Sequence, residues 1–252
     1  MEIPNYQDRL SILQSMSEKM QYLKFPSLPR PRADAKSPPT PDLINWAIQV
    51  HAFSLLSHFR EMLRSFLLLV ENGHVAASFV ICRTMFEMAA QVYYVNKHVQ
   101  QYLKSDDLEK TWIFLIDILV GSRFMREYSG ELNYEISPHI SKAISSYNEC
   151  FKNEGSSKTY SFLSEYSHPG PVSFGQHYEG EDAPNCISFV PPPRDTSMAP
   201  LSNAIISIST VLSSIYSLLP CAGDGEIAQQ IKRCVEELVQ LHGKDEGGKG
   251  SA

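Results

Sequence analysis

Two long stretches of helical apolar periodicity, one running to about Glu71 and the other from Val75 to about Leu103, meet at the short polar break ENGH, residues 71–74. The first has a well-marked start: Thr40-Pro41-Asp42 supplies a hydroxyl cap, a proline at the first helical position and an acid in the first turn. A connection this short forces the two helices to lie side by side, so the expected foundation is a long antiparallel helix hairpin.

The remaining segments fit around that hairpin. Leu10, Leu13, Met16, Met20 and Leu23 recur at helical spacing and predict an amphipathic helix within residues 1–24, an arm packed on the body or on a second subunit. Residues 25–41, FPSLPRPRADAKSPPTP, are rich in proline, which removes amide donors and favours an extended connector. Residues 42–243 form the expected bundle domain. In it Ser105-Asp-Asp-Leu-Glu109 reads as a capping-box start for a third helix through Leu119, and Ser137-Pro138 begins a fourth to about Phe151. Lys158 to Ser167 gives a fifth, Leu201 to Leu219 a serine-rich apolar helix, and Gly225 to about His242 a last amphipathic one. Between His168 and Pro193 the segments PVSFGQHY and NCISFV predict one small inserted β-hairpin. The tail, residues 244–252, is polar and glycine-rich and is expected to be disordered. The fold class is therefore all-α, a helical bundle with one small hairpin inserted.

Composition narrows the function classes. With 252 residues, 43% apolar and 20% charged, the chain can bury one sizeable core. Its net charge is −6 and its 22 Lys and Arg are scattered, so bulk binding to duplex DNA is not expected. The N-terminus lacks the pattern of a secretory signal, and no apolar run approaches the length of a membrane span, which points to a cytoplasmic protein with no membrane partner. Five cysteines, Cys82, Cys150, Cys186, Cys221 and Cys234, are far apart and show no CxxC spacing, as suits reduced thiols.

Few residues carry chemistry. Arg83 and Glu87 are four apart on a helix face shared with Phe79, Phe86, Ala90 and Tyr94. Their plain role is a structural ion pair; their functional one is an anion contact by Arg83, with Glu87 holding its planar guanidinium. His168 stands where a helix must stop before Pro169-Gly170, a helix end favours an imidazolium, and Ser164 lies one turn earlier on the same face. His51, His58 and Glu61 share a face but lack a second set of metal ligands, and no phosphate loop, GxSxG elbow or HExxH occurs. No metal or other cofactor is expected. The serines of LSNAIISISTVLSSIYSLL are scattered round their helix and indicate close helix packing.

Taken together, AASFVICRTMFE, with Arg83 and Glu87, and YSFLSEYSHP, with Ser164 and His168, resemble an uncharacterised family of prokaryotic helical proteins. In that family an R-x-x-x-E helix is followed by an L-S-x-x-x-H-P segment. More distantly the pattern is similar to HEPN domains, helical bundles that often dimerise and in many toxin and defence systems cleave RNA. The resemblance implies a homodimer that acts on RNA or another phosphate-bearing ligand without a metal, with His168 as general acid or base, Arg83 on the phosphoryl oxygens, Glu87 orienting Arg83 and Ser164 orienting His168. HEPN ribonucleases carry R-N-x-x-x-H, whereas Leu163-Ser164 precede the histidine here. Arg83 must therefore reach His168 from another helix. The alternative is a non-catalytic dimerisation or partner-binding module with a structural Arg83–Glu87 pair.

Overall fold

A computed structural model describes residues 5–28, 31, 38–120, 140–150, 155–168, 198–219 and 225–243. The chain is all-α, with eight α-helices and no strand among the described residues. They are α1 (Tyr6–Gln21), α2 (Pro41–Glu71), α3 (Val75–Lys104), α4 (Leu108–Val120), α5 (Ile140–Tyr147), α6 (Gly155–Ser167), α7 (Met198–Leu218) and α8 (Gly225–Gly243), with a 3-10 turn at Asn148–Cys150 after α5. The expected β-hairpin, the tail, the helix start at Ser137-Pro138 and most of the proline-rich connector fall outside the described residues.

Local chemistry accounts for the helix ends. The Thr40 hydroxyl accepts from the Leu43 amide at 3.3 Å, as its position before Pro41 predicts. At the other end of α2, Gly73 adopts φ +74°, its amide reaches the Val70 carbonyl at 3.1 Å, and the His74 amide reaches Leu69 at 2.8 Å. That pair of bonds is a Schellman stop, and it turns the chain into α3 within three residues.

The junction of α3 and α4 differs from the sequence expectation. Ser105 does not open the third helix; it closes α3, its hydroxyl bonded to the Tyr102 carbonyl at 2.8 Å. Asp106 takes the left-handed position at φ 56°, and Asp107 caps α4 by accepting from the Lys110 amide at 3.1 Å. Two adjacent acids thus divide the work of stopping one helix and starting the next, because an aspartate tolerates both conformations.

α1 is part of the body. Asn5 and Asp8 close a capping box at 3.1 and 3.0 Å, and Leu13, Met16 and Met20 are fully buried against α2, α7 and α8. Beyond it Phe25 stacks on Phe53 at 5.2 Å, and the Trp46 indole N–H meets the Leu28 carbonyl at 3.4 Å, so the start of the connector is also held to the core.

α3 runs through the middle. It touches α2, α4, α5, α6 and α7, and its buried residues include Phe79, Cys82, Met85, Phe86, Ala89, Ala90, Val92, Val95 and Val99. Its most extensive neighbour is α7, where the Cys82 thiol donates to the Pro200 carbonyl at 3.3 Å. Burial pushes the Cys82 pKa up, and both Cys82 and Cys234 are buried free thiols. On α7 the Ser202, Ser207 and Ser209 hydroxyls bond back to carbonyls of their own helix at 2.8, 2.7 and 2.9 Å, which lets small residues sit at a close helix contact without unsatisfied oxygens. By length and composition α3 and α7 could each cross a membrane, their 18-residue apolar windows having mean hydropathy 1.3 and 1.4, although polar residues interrupt both. Here 56% of each apolar window is buried inside the bundle.

These features set two stabilities apart. A Cβ added at Gly73 meets nothing within 4 Å, so Gly73→Ala bears only the strain of a positive φ, about 1 kcal/mol. Phe59→Ala empties a fully buried site and is expected to cost about 3–5 kcal/mol. Urea unfolding followed by circular dichroism measures both, and equal losses would contradict this assignment.

Candidate functional site

α6 is fixed at both ends before any functional side chain is considered. At its start the Asn148 side-chain oxygen accepts from the Ser156 and Ser157 amides at 3.2 and 3.3 Å, and the buried Ser156 hydroxyl donates to the Ile144 carbonyl at 2.9 Å. Farther along, Tyr166 stacks on Phe79 of α3 at 4.6 Å, Phe162 meets the same ring edge-on at 6.0 Å, and Leu163 is fully buried between the helices. The final residues of the helix are thereby carried to the middle of α3's first half.

There Arg83 and His168, 85 residues apart in sequence, meet at 2.7 Å between Nη1 and Nε2. Arg83 Nε donates to Glu87 at 3.0 Å, and Nη2 donates to the Tyr160 hydroxyl at 2.9 Å. A guanidinium can only donate, so Nε2 of His168 accepts and the ring is neutral with its proton on Nδ1. Burial acts to lower the Arg83 pKa, but the hydrogen bond to Tyr160 and the charge of Glu87 more than offset it and raise the pKa above its ordinary value. The guanidinium stays charged. Two of its five N–H groups, one on each terminal nitrogen, have no acceptor among the described residues.

The cluster is neither sealed nor loose. Arg83 is 22% exposed and Glu87 28%, and His168 is exposed. The two guanidinium N–H groups without an acceptor among the described residues, beside an exposed histidine, are donors of the kind a phosphoryl oxygen takes.

Ser164 stands differently from the expectation. Its hydroxyl is buried and has no hydrogen-bond partner among the described residues, and it meets His168 through the backbone, its carbonyl accepting from the His168 amide at 3.0 Å. Sequence reading also passed over Tyr160, although Tyr160, Ser164 and His168 follow one another at intervals of four on a single face. Asn148 carried no signal, because its task is to cap a helix it does not belong to.

The histidines of α2 do not form a site. His51 Nε2 is shut away from water without a partner among the described residues, whereas His58 and Glu61 face solvent. Among the described residues no three His, Cys, Asp or Glu side chains gather as a metal would require. Two cavities lie elsewhere: one of about 830 Å³ between α1 and α2, and one of about 500 Å³ between α3 and α5.

No family model, curated protein or solved structure matches this chain.

Burial holds the His51 pKa down at about 4, below the 6.5 of a free imidazole. The unfolded chain then binds the extra proton between those values, so stability is full above pH 6.5 and falls as pH drops towards 4, by at most about 3 kcal/mol. His51→Leu removes the titration. Urea midpoints measured from pH 7.5 to 4.5 are expected to fall less steeply in that variant, and parallel curves would exclude His51 as the cause.

Proposed function

We propose that this chain is a HEPN-like helical protein, a cytoplasmic homodimer built on an antiparallel α2–α3 hairpin, that cleaves RNA without a metal in a prokaryotic defence or toxin system. The observation that carries the reading is the Arg83–His168 contact, made across two helices in a partly exposed position with two guanidinium N–H groups unclaimed among the described residues.

The chemistry follows from donors and acceptors. A phosphodiester oxygen replaces His168 as the acceptor of Arg83 Nη1, which frees the Nε2 lone pair. Nε2 takes the proton of the neighbouring 2′-hydroxyl, the 2′-oxygen attacks phosphorus, and the P–O5′ bond breaks. The products are a 2′,3′-cyclic phosphate and a 5′-hydroxyl, the leaving oxygen taking its proton from water while His168 returns its own to solvent. Arg83 bears the charge that builds on the phosphoryl oxygens, and Glu87 and Tyr160 hold its plane. Ser164 acts as a positioning residue through its carbonyl.

A second reading has its own support: three of the Arg83 N–H groups are satisfied internally, by Glu87, His168 and Tyr160, as a clamp between α3 and α6 requires. In that case the protein is a non-catalytic module that works through dimerisation or a partner.

The two readings separate in one experiment. Under the first, single-stranded RNA is cleaved in the presence of EDTA, and His168→Ala and Arg83→Lys each lower the rate by about a hundredfold or more, with melting temperatures close to that of the native protein. Arg83→Lys keeps the charge and loses the fork, so it tests geometry. Cleavage unchanged in His168→Ala rules the ribonuclease reading out. A clamp instead predicts no RNA cleavage and a lowered melting temperature in Arg83→Lys.

A further inference from the structure

About three to four turns further along α3, the cleft of about 500 Å³ brings Tyr94, Lys97 and His98 opposite Lys142 and Ser146 of α5, with Glu149 at its rim. We propose that this cleft is a binding site for a phosphate group, distinct from the Arg83–His168 cluster.

Its charges do not cancel. Lys97 is paired with Glu149, whose other oxygen accepts from the Tyr93 hydroxyl at 3.3 Å, and the hydrogen bond from Lys97 holds the Glu149 pKa below the usual carboxylate range. Lys142 makes no ion pair or hydrogen bond among the described residues and leaves one unit of positive charge facing the cleft. Beside it the Ser146 hydroxyl is buried without a partner among the described residues, a polar group that a ligand oxygen would satisfy.

His98 is held ready in the same way. The Tyr94 carbonyl, which can only accept, meets its Nδ1 at 2.9 Å, and the ring lies flat on Phe114 at 5.2 Å, 15° from parallel. Nδ1 therefore carries a proton, and Nε2 is left without a hydrogen bond among the described residues. An ammonium, a hydroxyl and an imidazole line this cleft from two helices, a set that suits a group with three or more oxygens better than a carboxylate with two. The volume also admits a nucleoside attached to the phosphate.

The phosphate could belong to a free nucleotide or to a strand that also touches Arg83, about 21 Å away along the helix at fourteen residues' rise. Calorimetric titration of the full chain with inorganic phosphate, 5′-AMP and a short single-stranded oligoribonucleotide distinguishes them. Native protein is expected to bind, with Lys142→Gln weaker by about fivefold or more and Ser146→Ala also weaker. Lys142 is exposed, so its replacement leaves the fold intact. Comparable affinity for 5′-AMP and oligonucleotide, unaffected by Arg83→Ala, identifies a free nucleotide as the ligand. Tighter oligonucleotide binding that Arg83→Ala also weakens identifies a strand. No binding of any probe, or binding indifferent to Lys142→Gln, overturns the proposal. None of these outcomes depends on whether His168 cleaves RNA.

Discussion

Burial of α3 is the condition on which the other helices depend. Phe79, Phe86, Met85, Val92, Val95 and Val99 point in several directions from one axis, so one neighbour cannot cover them, and α2, α4, α5, α6 and α7 each take a part. Each large apolar side chain removed from water contributes roughly 1.5–3 kcal/mol before the entropy of ordering it is set against that gain. A helix covered on most sides leaves little surface for a charge. Arg83 and Glu87 stand in one of the remaining gaps, at the edge of α6.

That position explains why the arginine is held so firmly without being buried. A guanidinium stripped of water and left without acceptors would destabilise the fold by several kcal/mol, whereas one fully in water would be free to swing. Glu87, Tyr160 and His168 hold it between these extremes. Their grip depends in turn on the stacking of Tyr166 and Phe162 on Phe79, since the aromatic contact sets where the last turn of α6 arrives.

Much of this was legible in the sequence wherever the cause is local. Thr40-Pro41-Asp42 and the glycine of ENGH act on their own backbone, and the helix ends fall where those residues put them. Ser105 misled because a serine before two aspartates has the composition of a start as well as a stop, and only the left-handed turn at Asp106 separates them. Periodicity named the buried face of α1 but not what covers it. In the candidate site, Arg83, Glu87 and His168 carried their own chemical signal, while nothing singled out Tyr160, and Asn148 fell inside the expected fourth helix. Which side chains meet across 85 residues is decided by helix packing, and spacing along one chain does not encode it.

The 3-10 turn after α5 has a further consequence. Asn148 holds the first amides of α6, the helix that ends at His168, and the next residue, Glu149, is bound to Lys97 and Tyr93 of α3. Neighbouring residues on one short piece of backbone therefore anchor both the helix that delivers the histidine and the rim of the lysine cleft. By thermodynamic linkage, whatever free energy a change at Lys97 exerts on the placement of α6, a change at α6 exerts in return on Lys97. The turn makes the two places parts of one balance.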